Sequence, residues 1–120
     1  MMNIIELTKV QQIADTYGYE AQREMLVEEC AELIQAVQKL KRADNSGDAE
    51  RIDKATSAYL EEMVDVSIML EQMRYMLTPG LKQELDSYIL KKLDRQIERI
   101  EQAKKQEKEQ YDKWRAGVNA

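Results

Sequence analysis

The chain has 120 residues, enough for one ordinary domain, and 34% charged with 43% apolar residues favours folding over disorder. It has no histidine and a single cysteine, Cys30, which excludes Ser-His-Asp triads, histidine-ligated zinc, Cys-x-x-Cys motifs and an intrachain disulfide. Its net charge of −5 is concentrated over residues 20–90, eight basic against fifteen acidic, a field that disfavours non-specific nucleic-acid binding and attracts divalent cations.

Asn3 is placed to N-cap a first helix whose apolar positions Ile4, Leu7, Val10, Ala14 and Tyr17 keep helical spacing, with Gly18 as its end. A second helix is predicted from about Glu20 to about Arg42, with Leu26, Cys30, Leu33, Val37 and Leu40 as its stripe. Lys39, Lys41 and Arg42 then oppose the negative end of its dipole. The run Asp44-Asn45-Ser46-Gly47-Asp48 reads as a loop. The third helix starts near Asp48 and continues to about Leu77, with Ile52, Tyr59, Met63, Val66, Leu70, Met73 and Leu77 facing a core.

Thr78-Pro79-Gly80 is the strongest stop in the sequence. A final helix from about Leu81 can reach Trp114, with a stripe of Leu85, Tyr88, Ile89, Leu93, Ile97 and Ile100 in its first half. Beyond Ile100 the chain is almost bare of large apolar residues, as in a solvated extension or an arm that packs on a partner chain. The class is therefore all-α, an antiparallel helical bundle of four main helices with helices two to four as its body. Long exposed flanks favour a helix-mediated homo-oligomer, a homodimer or homotetramer. No apolar run approaches the ~20 residues of a membrane span. Met1–Glu6 lacks the basic and apolar regions of a secretory signal, so a cytoplasmic setting without a membrane partner is expected.

Acidic residues border the core stripes. Glu29 lies on the flank of the second helix's apolar sector, with Glu32 one turn on, and the third helix repeats the arrangement with Glu62 and Asp65. If the two helices pack antiparallel, four carboxylates converge. Half-buried together they would repel strongly without a cation. A hard divalent ion with oxygen preference resolves that conflict, and Mg²⁺ keeps water in its remaining positions. The competing reading is a non-catalytic helical protein-interaction module, in which the acids decorate solvated faces.

The sequence Leu26-Val27-Glu28-Glu29-Cys30-Ala31-Glu32-Leu33, followed by Glu61-Glu62-Met63-Val64-Asp65-Val66, resembles the Glu-Glu-x-x-Glu … Glu-x-x-Asp signature of the MazG-like, all-α nucleoside triphosphate pyrophosphohydrolases. The likeness covers roughly residues 19–99. It implies hydrolysis of a nucleoside triphosphate (NTP or dNTP) to the monophosphate and pyrophosphate, with Mg²⁺, or Mn²⁺ as a substitute, held by Glu29, Glu32, Glu62 and Asp65. Glu28 becomes the candidate for orienting or deprotonating the attacking water, or for a further metal. Lys92-Leu93-Asp94-Arg95 resembles the family's Lys-Phe-x-Arg segment, with leucine for phenylalanine, which implies substrate contacts from Lys92 and Arg95. The expected organisation is then a single domain: an N-terminal helix over 1–18, a metal-binding core over 19–100 and a charged helical extension over 101–120.

Overall fold

Polar caps and two glycines set most of the helix limits. In the computed structural model, which describes residues 2–117, α1 (Ile4–Tyr17) begins on a capping box. Asn3 Oδ1 accepts from the Glu6 N–H and Glu6 Oε1 accepts from the Asn3 N–H, both at 2.9 Å. Gly18 closes α1 at φ 83° and leads directly into α2 (Tyr19–Ser46). Gly47, in the left-handed region at φ 68°, ends α2 with its N–H on the Asp44 carbonyl. Asp48 Oδ1 then accepts from the Glu50 and Arg51 N–H groups to start α3 (Ala49–Tyr75). Thr78 caps α4 (Pro79–Arg115) by accepting from the Leu81 N–H.

Two boundaries differ from the sequence reading. The expected loop at Asp44–Asp48 shrinks to Gly47 and Asp48, and α2 runs on to Ser46. There the Ser46 hydroxyl donates to the Ala43 carbonyl at 2.6 Å, so a residue type common in turns is held inside the helix. Thr78-Pro79-Gly80 stops α3 as expected and also starts α4, because a proline in the first turn of a helix has no N–H to lose. Among the described residues there is no strand, and no helix is long and apolar enough to cross a membrane. Met1 and the last three residues of the expected 101–120 extension lie outside the described residues.

The described chain divides after Leu77 into two units. In the first, α1, α2 and α3 pack together in a manner consistent with a bundle, and α2 with α3 forms an antiparallel hairpin around the two-residue turn. α1 lies mainly on α3, and the Tyr75 hydroxyl donates to the Asp15 carboxylate at 3.0 Å to fasten the two. The buried apolar residues are few and mostly small: Val10, Ala14, Ala36, Ala43 and Met69. The second unit holds α4, 37 residues and so about 55 Å long. None of its described residues is buried, and its apolar stripe from Leu85 to Ile100 is exposed along its length.

The contact line of the hairpin is not the one drawn by the large apolar residues. Leu26, Cys30, Leu33 and Leu40 are half-buried and Val37 is exposed. The innermost line of α2 runs instead through Gln22, Glu29, Ala36 and Ala43, at intervals of seven. On α3 Met69 and Gln72 are buried, and Ala55 and Glu62, spaced by sevens from Met69, are half-buried like Ile52, Tyr59 and Val66 of the apolar stripe. A seven-residue repeat keeps one seam facing a neighbouring helix over many turns. Small alanines on that seam fill it only in part, and the larger stripe residues lie at its margins.

Candidate metal centre

Glu29 and Glu62 occupy seam positions that in a paired helix ordinarily go to apolar side chains. Counted from Gly47, Glu32 and Glu62 stand fifteen residues to either side, and Glu29 and Asp65 eighteen. The antiparallel turn therefore brings the two i, i+3 pairs to the same height. One carboxylate oxygen from each of Glu29, Glu32 and Glu62 lies within 4.8 Å of the others. Asp65 is exposed and is not one of the three, although it is near enough for its charge to act on Glu29 and Glu62. Glu28 is exposed on α2, one residue before Glu29. Lys92 and Arg95 are exposed on α4, in the second unit.

The electrostatics follow from the placement. Glu29 and Glu62 hold their protons above the usual carboxylate range, first because burial penalises the charged form. The negative charges of Glu32 and Asp65 add to this for both residues, and a hydrogen bond with Glu32 further favours the protonated state. Glu29 Oε2 and Glu62 Oε2 are each buried with no hydrogen-bond partner. A buried carboxylate oxygen without a donor is costly. Two of them from facing helices, beside a third carboxylate, gather three hard oxygen donors at one point of the seam.

The donor set fits Mg²⁺. Oxygens around that ion at about 2.1 Å stand about 3 to 4 Å apart, a spacing that the 4.8 Å bound on the three carboxylate oxygens allows. All donors are oxygen, as Mg²⁺ requires, and the half-buried Cys30 next to Glu29 is not among them. Glu29, Glu32 and Glu62 are the residues that could hold the ion, with Asp65 one turn further along α3.

The same seam also carries features that the sequence reading did not single out as functional. Gln22 and Gln72 are wholly or almost wholly buried, at 0 % and 2 % exposure, and the Oε1 atom of each has no partner. They stand twenty-five residues either side of Gly47, again level with each other. On the turn side of the acids the seam widens into a cleft lined by basic residues of both helices. The signal for that cleft was in the sequence, as Lys39/Arg42 and Arg51/Lys54 form i, i+3 pairs, five and eight residues before Gly47 and four and seven after it. No family model matches this chain, and no curated protein or solved structure does so either.

Proposed function

We propose that the chain is a Mg²⁺-dependent nucleotide pyrophosphohydrolase, cutting a nucleoside triphosphate into the monophosphate and pyrophosphate. One observation supports this above the others: carboxylates of two helices meet inside an interhelical seam, and two of their oxygens are buried without partners. Mg²⁺, when bound, supplies charge neutralisation on phosphate oxygens and a site where water is acidified and aligned. Glu29, Glu32 and Glu62 would hold the ion, and Asp65 would extend the set from the next turn. Glu28, next to Glu29 and open to solvent, takes the proton from the attacking water, since the chain has no histidine for that role. The water oxygen bonds to the α-phosphorus as the bond to the bridging oxygen breaks, and the electron pair leaves with pyrophosphate. A cytoplasmic homodimer or homotetramer is the proposed setting.

The decisive experiment incubates the protein with a panel of NTPs and dNTPs in Mg²⁺ and measures pyrophosphate release. Turnover that is lost in Glu29→Gln and Glu62→Gln supports the reading. Absence of turnover on every nucleotide, or turnover untouched by those substitutions, refutes it. The exposed apolar stripe of α4 favours the alternative, a non-catalytic interaction module. Under that alternative the same two substitutions relieve repulsion and raise the melting temperature whether or not Mg²⁺ is present.

A further inference from the structure

Toward the Gly47 turn the seam opens into a cleft of ≈550 Å³. It starts at Glu32 and Glu62 and is edged by Lys39 and Arg42 of α2 and by Arg51 and Lys54 of α3. Ala36, Ala43 and Ala55 line it, and their methyl groups leave room that longer side chains would fill. Lys54 pairs with Glu50 at 3.5 Å, both largely exposed, whereas Lys39, Arg42 and Arg51 form no ion pair among the described residues. Three unpaired cations and a weakly paired fourth around one opening repel each other until an anion enters.

The anion's chemistry is set by what lies at the two ends. At one end are carboxylates, which repel any bare anion but would hold one through a shared divalent ion, as Mg²⁺ is commonly shared between protein carboxylates and substrate phosphates. At the other are two guanidinium groups, whose planar forks match phosphate oxygens. Lys39 is seven residues from Glu32 and Lys54 eight from Glu62, about 10 and 12 Å along the helix axes. Their flexible stems can span much of that distance, so a chain of linked phosphates could touch metal and lysines together. Arg42 and Arg51 lie about one turn deeper, toward the far end of such a chain.

We propose that this cleft is a polyphosphate-binding site. It takes the phosphate chain of the nucleotide, with the pyrophosphate leaving group pointing toward the Gly47 turn and contacted by Lys39, Arg42, Arg51 and Lys54. The assignment of the nucleotide rests on the pyrophosphohydrolase reading, while affinity for pyrophosphate itself does not. The negative charge that departs with pyrophosphate is thereby received by cations of α2 and α3.

The test is calorimetric titration of the full chain with inorganic pyrophosphate and tripolyphosphate in Mg²⁺, beside nucleotide turnover. The variants are Lys39→Ala/Arg42→Ala, Arg51→Ala/Lys54→Ala and, as a control on α4, Lys104→Ala/Lys105→Ala. The four cleft positions are exposed, so the fold should survive, and circular dichroism checks it. At least a tenfold loss of pyrophosphate affinity in both cleft variants, with the α4 variant unchanged, supports the site. Nucleotide turnover with pyrophosphate affinity and KM unaltered in the cleft variants overturns it and leaves the enzyme reading standing. Cleft-dependent pyrophosphate binding in a chain that hydrolyses no nucleotide keeps the site and removes the enzyme reading. Retention of single-stranded DNA by the same cations, without affinity for pyrophosphate, overturns the site.

Discussion

Glu29 and Glu62 are the residues at which local and global requirements conflict. Helix packing asks for an apolar side chain at each, and each instead carries a carboxyl whose proton is held more tightly than in an unfolded chain. A carboxyl with a raised folded-state pKa adds its full share of stability below its ordinary value near 4.5, and that share is lost as pH rises through the raised value. The metal-free chain is therefore expected to lose melting temperature, as far as these two groups are concerned, as pH rises above 4.5. Melting curves of wild type and Glu62→Gln across that range check this: the difference should widen with pH in favour of the variant, and Mg²⁺ should narrow it. In the nucleotide assay, Glu29→Gln and Glu62→Gln should each lower kcat/KM by about 100-fold or more, since loss of a ligand costs at least what loss of its supporting partners does. Glu28→Gln should instead leave Mg²⁺ affinity intact and lower kcat by about 100-fold or more, the usual scale for general acid–base help. Gln22 offers a stability test remote from the acids. Its Oε1 is buried without a partner, so Gln22→Leu should be neutral or stabilising by about 1 kcal/mol in chemical denaturation.

At the scale of elements, every helix and all but its exact ends were legible, because caps and breakers act locally. Asn3, Gly18, Asp48 and Thr78 do their work within four residues of sequence. The errors came where a local preference met a longer-range one. Asp44, Asn45 and Ser46 favour turns, yet the left-handed residue that actually ends α2 is Gly47, and the helix persists until it is reached. The acid pairs were legible from i, i+3 spacing and the antiparallel turn. Their depth was not, because the eye follows large apolar residues while the seam runs through alanine, glutamine and glutamate. Gly47→Ala should cost about 1 to 2 kcal/mol through its positive φ alone, as nothing lies near enough to obstruct a methyl group. Equilibrium unfolding measures it, and a cost near zero would show that the turn readily adopts another form.

For the molecule as a whole, the small apolar interior contrasts with the apolar surface left open. Leu85, Ile89, Leu93, Ile97 and Ile100 follow three- and four-residue spacing on α4, and Val27, Ile34, Leu60 and Val64 are exposed on the hairpin. Exposed apolar area on this scale is characteristic of surfaces that meet another chain. Light scattering should accordingly give a homodimer or homotetramer, and Ile97→Glu should shift it toward the monomer if α4 carries the contact. A stable wild-type monomer at micromolar concentration would contradict that expectation. What the α4 stripe packs on was not legible in the sequence, since the same amphipathic pattern serves a core within one chain or an interface between two.

All of this depends on a divalent ion being what makes carboxylates tolerable inside a helix seam. Titration of the protein with Mn²⁺, followed by the loss of the free-ion paramagnetic resonance signal, measures that directly. The account predicts stoichiometric uptake that Mg²⁺ displaces and that the Glu29→Gln/Glu62→Gln variant lacks. Uptake of the same strength in that variant, or none in the wild type, would contradict it.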